Sequence, residues 1–460
     1  MKIFRGPLLR HLSMLVVLAV AVCQAARPGF KRTVFETNVP FAQGIYAVGD
    51  IDGDGKNEIV ACGATPSRIY WMKYPDLTTK HVIANTGNVG YEVHLADVNN
   101  DGRLDVMTSE HGVVTWYENP GPQNLLNGQV WKEHICNPTS GPTSGTGNAG
   151  GSHDFKVGDI NHDGKIDAVL RDQGMDHWVV FMQQSPDSWV SCNVPAHQAG
   201  EGTALGDIDV DGDLDLSDGW AWFECPADPL HGTWTQHTIG NATHNLTRVV
   251  IVDINGDGHA DVVSAPSEFG GSKLIYWQAP ADPKTGAWTE YDLYTAADPN
   301  FHTLQIGDID LDGYPDILVA STGDPQDANT PAKMIKIYYN VKGDGSVWQD
   351  TTWYDPVGIW QGILGDVKTN GTLSILGCNY NGAACATVLE NLLVPATAVR
   401  EKLIDAPRAD RTEGPAAEIV PALSHGQGRL RGPAVDASGR TLGGVREKSV
   451  KVIIESAGKR

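Results

Sequence analysis

A nine-residue pattern of acidic and amide side chains occurs six times along the chain, and its spacing suits metal binding. Positions 1, 3 and 5 carry Asp or Asn, position 6 is Gly, and position 9 is Asp or Glu. Ca²⁺ takes about six to eight oxygen ligands, and alternate side chains on a tight turn can supply them. We therefore predict six structural Ca²⁺ sites, with the side chains of positions 1, 3, 5 and 9 and the backbone carbonyl of position 7 as ligands. In chain order the predicted ligand residues are Asp50, Asp52, Asp54, Lys56, Glu58, Asp97, Asn99, Asp101, Arg103, Asp105, Asp159, Asn161, Asp163, Lys165, Asp167, Asp207, Asp209, Asp211, Asp213, Asp215, Asp253, Asn255, Asp257, His259, Asp261, Asp308, Asp310, Asp312, Tyr314 and Asp316.

A seventh copy of the pattern, at residues 366–374, keeps the spacing but loses most of its acids. Lys368 occupies position 3 and Ser374 occupies position 9, so we predict that this loop binds no metal. The Gly at position 6 is expected to adopt the positive φ that folds each loop back. The seven copies begin 47, 62, 48, 46, 55 and 58 residues apart, and this period is typical of a four-stranded propeller blade.

Strand-like segments surround every copy of the pattern. Strands precede and follow the loop, and then come an aromatic strand, such as residues 69–71, and a strand of the type Trp131-x-x-His134. Four short strands in each of seven repeats predict an all-β fold, a seven-bladed β-propeller. We interpret the His residues of the last strand as outer-strand residues and not as metal ligands.

The N-terminal part of the repeat region predicts how the ring closes. Residues 30–36 read as a fourth strand with no strands before it, whereas the seventh repeat lacks a fourth strand. Because unpaired blade edges promote aggregation, we expect this N-terminal strand to complete blade seven.

The six acidic loops on blade-length repeats resemble the FG-GAP/VCBS repeat family of calcium-stabilised β-propellers, over about residues 30–394. The family includes integrin-like adhesion heads, lectin-like binders and secreted carbohydrate-active lyases, so the resemblance implies fold and metal more than function. The Phe-Gly/Gly-Ala-Pro signature of integrin-type repeats is largely absent, which disfavours an adhesion receptor.

The ends of the chain differ from the repeats. Three basic residues precede the apolar run 12–23, a signal-peptide pattern too short to span a membrane. We expect a signal peptide at residues 1–25, the propeller at 26–394 and a tail or degenerate sorting segment at 395–460 that could engage a secretion apparatus. The protein is expected to be secreted and monomeric. Its formal net charge of −22 would repel phosphates, so we expect no nucleic-acid partner.

The family topology also implies where a ligand would bind. Its metal loops follow the innermost strands, so the residue six positions before each loop marks the opposite rim of the channel. These rim residues are Gly44, Tyr91, His153, Glu201, Thr247, His302 and Trp360, and Glu92, Asp154, Arg248 and Gln361 directly follow four of them. Such a convergence of polar groups favours a binding or catalytic site.

Two classes of function fit these residues, and we expect the first of them, a polysaccharide lyase, with a non-catalytic carbohydrate- or protein-binding propeller as the alternative. In β-elimination on a uronic-acid polysaccharide, Arg248 or Arg171 would neutralise the sugar carboxylate, His153 or His302 would take the C5 proton, and Tyr91 would protonate the leaving oxygen.

In a lectin-like protein the same channel would bind sugar without proton transfer. Trp360 and Tyr91 would stack on sugar faces, and carboxylates such as Glu201 would accept sugar hydroxyls, with Gln361 and Arg171 as further substrate-binding residues. Glycoside hydrolysis by Glu92 or Asp154 with Glu201 is a third, weaker interpretation.

Overall fold

A computed structural model describes residues 27–37, 45–63, 68–85, 89–110, 113–125, 128–136, 154–172, 175–241, 247–267, 273–294, 301–321, 333–354, 358–378 and 385–395. These residues form seven four-stranded antiparallel sheets, which confirms the prediction of a seven-bladed β-propeller. The predicted signal peptide and almost all of the C-terminal segment lie outside the described residues.

The chain begins with β1 (Phe30–Thr37) and then passes through the blades in order. Blade one contains β2 (Ile45–Gly49), β3 (Glu58–Gly63), β4 (Arg68–Lys73) and β5 (His81–Asn85). Blade two contains β6 (Val89–Ala96), β7 (Asp105–Glu110), β8 (Val113–Glu118) and β9 (Lys132–Ile135), with the short helix α1 (Pro122–Leu125) before its last strand. Blade three contains β10 (Asp154–Gly158), β11 (Asp167–Arg171), β12 (Met175–Ser185) and β13 (Ser188–Gly200).

The second half of the ring repeats this arrangement. Blade four contains β14 (Ala204–Gly206), β15 (Asp215–Ser217), β16 (Ala221–Glu224) and β17 (Thr235–Thr238). Blade five contains β18 (Thr247–Val252), β19 (Asp261–Pro266), β20 (Leu274–Gln278) and β21 (Thr289–Tyr294). Blade six contains β22 (Phe301–Gly307), β23 (Asp316–Ser321), β24 (Met334–Asn340) and β25 (Trp348–Tyr354). Blade seven contains β26 (Gln361–Gly365), β27 (Ser374–Cys378) and β28 (Cys385–Asn391).

β1 completes blade seven, as predicted. It pairs antiparallel with β28, from Phe30 opposite Asn391 to Thr37 opposite Cys385, and the sheet order is β1-β28-β27-β26. The N-terminal strand is therefore the outermost strand of the last blade, and it joins the two ends of the repeat region.

The hydrophobic core lies between neighbouring blades. Along β3, Val60 belongs to the cluster shared with blade two, whereas Ile59 and Ala61 belong to the cluster shared with blade seven. Successive side chains of a strand point to opposite faces, so a fully buried strand supplies two cores. This requirement explains why the second and third strands of the repeats are nearly continuous apolar runs.

Aromatic rings of the third strands stack on His rings of the outermost strands. His134 stacks on Trp116 with ring centroids 3.9 Å apart, and His237 stacks on Trp222 at 4.3 Å. His134 also contacts Glu118 at 3.0 Å. These contacts agree with our interpretation of the His residues as structural outer-strand residues. No described helix is long and apolar enough to cross a membrane.

Candidate functional site

Each acidic loop is a tight turn directly after an innermost strand. The carboxylate at position 1 accepts a hydrogen bond from the backbone N–H of the Gly at position 6, for example Asp97 from Gly102 at 2.8 Å. The φ of this Gly lies between 84° and 106° in all seven loops, as we expected. Because L side chains rarely adopt that conformation, Gly is the residue that closes the loop.

Position 4 of each loop is also left-handed, which the pattern did not predict. Its φ lies between 52° and 74°, and only two of the seven occupants are Gly. The others include the bulky residues Val210 and Leu311. A left-handed non-glycine residue costs about 1–2 kcal/mol, so the loops hold these residues in a strained conformation.

The acid at position 9 fastens the loop to the sheet. In all six acidic loops it accepts a hydrogen bond from the backbone N–H of position 2, as Asp105 does from Val98 at 3.1 Å. In five loops its other oxygen accepts a second backbone hydrogen bond, as Asp105 does from Asn119 at 2.8 Å. Burial raises the pKa of Asp105, Asp215 and Asp316 to about 8, and a nearby cation would favour the ionised form.

The donor set of the loops fits a hard divalent cation. In loops one, four and six, three carboxylates each offer an oxygen within 4.8 Å of the others: Asp50, Asp52 and Glu58; Asp207, Asp209 and Asp215; Asp308, Asp310 and Asp316. Asp50 Oδ1, Asn161 Oδ1 and Asp310 Oδ1 are buried without a hydrogen-bond partner among the described residues. Buried oxygens that lack a donor are available as ligands for a hard cation such as Ca²⁺. Three acidic clusters can therefore hold metal ions, and calcium at all six loops remains a prediction.

The seventh loop keeps the same turn although Asp366, at position 1, is its only remaining acid. Asp366 Oδ2 accepts a hydrogen bond from Gly371 N at 2.7 Å. Lys368, at position 3, donates to the carbonyl oxygen of Asn391 and lies 3.7 Å from Glu390. A basic side chain thus occupies the position where a carboxylate would bind metal.

The central channel is lined by residues from all seven blades. Its polar lining includes Glu92, Asp154, Lys156, Arg248, Gln305 and Gln361. Four of these are the residues that directly follow the expected rim positions. Because side chains alternate along a strand, a shift of one residue exchanges the channel face for the blade interior.

The residues two positions further along the same strands were not predicted. Lys156 follows Asp154 in β10, and His94 follows Glu92 in β6. A period of two, counted from Glu92 and Asp154, would have identified both.

Arg248 is the centre of a polar network at the channel. Its Nη1 lies 3.2 Å from Asp154 Oδ1 and 3.5 Å from Glu201 Oε2. Its Nε donates to the carbonyl oxygen of His302 at 3.2 Å. Burial raises the pKa of Asp154, against the opposing effect of Arg248. The guanidinium is thus fixed by two acids and a carbonyl, while 15% of its side chain is exposed.

His302 is the extra residue of a β-bulge. The register of β22 against β23 shifts between Phe301 and Thr303, and such bulges re-aim side chains. The buried His302 ring stacks on Trp360 with centroids 4.1 Å apart, and its Nδ1 lies 2.9 Å from the Trp360 carbonyl oxygen. Its Nε2 lies 3.0 Å from Arg248 Nη2.

Three predicted substrate-binding residues are buried in the channel wall, contrary to the expected exposure. Trp360 packs against His302 and so does not present its ring face to a sugar. Glu201 lies behind Arg248. Arg171 is fully buried, donates to the carbonyl oxygens of Gly202 and Gln198, and lies over the Trp178 ring. As placed here, these residues support the channel.

Two predicted catalytic residues cannot be placed. His153 lies outside the described residues, as does the rim position Gly44. Tyr91 belongs to β6, but its side chain lies outside the described part of the structure. Gln361 lines the channel as expected.

A second polar cluster lies at blades two and three. Glu92 Oε2 lies 2.8 Å from Lys156 Nζ and 3.1 Å from His94 Nε2. Burial alone would raise the pKa of Glu92, but Lys156 and His94 lower it to about 2. Glu92 is therefore ionised at neutral pH and orders both neighbours.

The comparisons with known proteins agree with the repeats and the fold. A family model for an FG-GAP-like repeat matches residues 50–108, 97–170 and 253–319. No curated protein sequence matches the chain. The solved structure of BBS1N in complex with ARL6DN is similar with a TM-score of 0.50 and 12% identity, over 81% of this chain and 97% of that chain.

Two further solved structures are more distant. A lectin from Agrocybe aegerita that recognises non-reducing terminal N-acetylglucosamine has a TM-score of 0.46 and 17% identity, over 69% of this chain and 81% of its own. The rhamnogalacturonan lyase of Bacillus licheniformis has a TM-score of 0.44 and 11% identity, over 79% of this chain and 74% of its own. At these identities the likeness concerns the fold alone. The seven sheets make this chain a seven-bladed β-propeller, and the matched parts of it are FG-GAP-like repeats.

Proposed function

We propose that the protein is a secreted, calcium-stabilised propeller that recognises a polysaccharide at its central channel. The observation that carries this proposal is the fixed, partly exposed guanidinium of Arg248, held by Asp154 and Glu201. A donor that is already ordered loses little conformational entropy when a sugar hydroxyl or carboxylate binds. Lys156, Glu92 and Gln361 add further donors and acceptors on the same lining.

Recognition without chemistry is favoured over elimination by the surroundings of His302. The ring is buried, and its Nδ1 and Nε2 face the Trp360 carbonyl and the Arg248 guanidinium. Nδ1 is assigned the proton because it faces a carbonyl oxygen, so Nε2 is the acceptor. A second proton on this ring would place two cations about 3 Å apart, which raises the cost of His302 acting as a base.

β-Elimination on a uronic-acid glycan is the second candidate, and one observation favours it. Arg248 Nη2 lies 3.0 Å from His302 Nε2, the nitrogen that accepts a proton in the tautomer assigned above. A substrate carboxylate that bound Arg248 would partly neutralise the guanidinium. His302 could then take the C5 proton while the C4–C5 double bond forms and the C4–O bond breaks, and the leaving oxygen would take a proton from a general acid or water.

The deciding experiment measures binding and product on one panel of neutral and uronic-acid polysaccharides. Wild-type protein with calcium is tested for retention on each glycan and for the ultraviolet absorbance of a 4,5-unsaturated uronate. Binding without absorbance supports recognition, and absorbance supports elimination. If no glycan gave either binding or absorbance, both candidate functions would be contradicted.

Two variants locate the activity. Arg248→Lys keeps the charge but loses the planar set of donors, so we expect binding or turnover to fall at least about tenfold. Lys273→Met is the control and should change neither binding nor turnover, because Lys273 directly precedes β20 and contacts Glu290 and Asp292 of the outer strand β21. An Arg248→Lys variant that folds and binds like wild type would exclude the channel.

A further inference from the structure

The six acidic loops differ in one ligand position, and that difference follows the basic side chains around them. Position 3 is Asp in loops one, four and six and Asn in loops two, three and five. Each position 3 Asp contacts a basic side chain from outside its loop. Lys73 Nζ lies 2.5 Å from Asp52 Oδ2, Lys284 Nζ lies 2.7 Å from Asp209 Oδ2, and Arg27 Nη1 lies 2.5 Å from Asp310 Oδ2.

The loops with Asn at this position are different. Among the described residues, no basic side chain bonds to Asn99, Asn161 or Asn255. In loops two and three the basic residue at position 7 contacts the acid at position 5 instead, as Lys165 does with Asp163 at 2.7 Å. Loop seven replaces position 3 by Lys368 itself.

The three basic residues come from unrelated parts of the fold. Lys73 is the last residue of β4, Lys284 follows β20 in the next blade, and Arg27 precedes β1. Local sequence similarity between repeats therefore does not explain the correspondence. A requirement for charge balance explains the correspondence, since a nearly buried carboxylate needs a counter-charge.

We propose that Lys73, Lys284 and Arg27 are built-in counter-charges of the position 3 carboxylates. They hold loops one, four and six in shape without metal, and they compete with a divalent cation for the same carboxylate. Loops two, three and five, in which position 3 is an amide, take the cation without this competition.

Arg27 extends this role to ring closure. Its guanidinium lies 3.8 Å from the centroid of the Tyr339 ring and donates to Gln349 at 2.8 Å. The residue thus joins the segment before the closing strand β1 to loop six of the neighbouring blade. Metal binding at loop six and the docking of that segment therefore involve the same side chain.

The test uses Lys73→Met in the full chain, with calcium chloride as the only ligand. Without Lys73, loop one keeps Asp52 and Asp54 with no counter-charge from β4. We expect the melting temperature in chelator to fall, and one calcium site in isothermal titration calorimetry to tighten about tenfold, because a cation no longer competes there.

Two further variants separate this effect from a general loss of a lysine. Lys273→Met is a matched control, since Lys273 also contacts two acids and is 40% exposed against 41% for Lys73. The double variant Asp52→Asn/Lys73→Met converts loop one to the Asn type. We expect it to return both the melting temperature in chelator and the calcium affinity to their wild-type values.

Three results would overturn the proposal. They are weaker calcium binding in Lys73→Met, a chelator melting temperature lowered no more than in Lys273→Met, and a wild-type melting temperature that calcium does not move. Arg27→Met should repeat the tightening at loop six, and unchanged calcium affinity in that variant would contradict the general form of the proposal.

Discussion

The face that carries the acidic loops and the central channel are formed by the two ends of the same innermost strands, but they depend on different ranges of sequence. An acidic loop is complete within nine residues, and its turn persists in blade seven, where Asp366 is the one acid that remains. The Arg248 network joins Asp154, Glu201 and His302, which lie 94, 47 and 54 residues away. Local geometry therefore sets the loops, whereas ring closure and strand register set the channel.

The sharpest test of this comparison removes the closing strand. Deletion of residues 1–37 leaves β28 without its outer partner and should abolish cooperative folding, because it opens the ring and exposes a sheet edge. Thermal unfolding and size-exclusion chromatography measure the result, with a monomer expected for wild type. Deletion of residues 400–460 is the control and should leave the melting temperature unchanged. A monomeric, cooperatively folded N-terminal deletion would refute closure by β1.

Removal of calcium is expected to have the next largest effect. Each site at 100-fold saturation contributes about 2.7 kcal/mol to the free energy of unfolding, so chelation should lower the melting temperature by many degrees. Circular dichroism with chelator, and again after calcium is restored, checks this expectation. If the melting temperature were the same in chelator and in calcium, the metal assignment would be wrong.

The same comparison explains what could be predicted from the sequence. The Gly at position 6 was predicted because only Gly accepts its φ at little cost. The left-handed conformation at position 4 was not predicted, because its occupants share no residue type. They include Asn100, His162, Val210 and Leu311.

The channel was predicted only in part. Arg248, Glu92, Asp154 and Gln361 were identified, but His302 and Trp360 are buried against each other. A β-bulge at His302 shifts the register by one residue, and the sequence carries no local signal for it. A spacing rule across blades therefore locates the strand but not the face of each side chain.

A pH-dependent effect is expected at the channel. The pKa of Glu92 is lowered from its ordinary value of 4.5 to about 2, so its stabilising effect is fully present above about pH 4.5 and is lost as the pH falls through about 2. We expect Glu92→Gln to reduce the free energy of unfolding by about 2 kcal/mol at neutral pH. The difference from wild type should shrink as the pH falls from 4.5 towards 2.

Urea unfolding of both proteins across this pH range measures that difference. Glu290→Gln is the control, because Glu290 also contacts a lysine but is 41% exposed, against 16% for Glu92. A difference between Glu92→Gln and wild type that does not change with pH would show that the ion pairs of Glu92 are not its source.

The smallest expected effect concerns the strained position of the loops. Val210 has a φ of 63° and is 52% exposed, so Val210→Gly removes a left-handed β-branched residue without loss of core packing. The relief of about 1–2 kcal/mol exceeds the entropic cost of a glycine, about 0.5–1 kcal/mol. We expect a net gain of about 0.5–1 kcal/mol in stability, measured by urea unfolding in calcium.

Gly53→Val is the converse change at the same position of loop one, where an added Cβ would meet nothing within 4 Å, and it should lose about as much stability. Because neither substitution touches the ring or the channel, equal and opposite effects would establish that the loop geometry is local, and a loss of stability in Val210→Gly would show that contacts of Val210 outweigh its backbone strain.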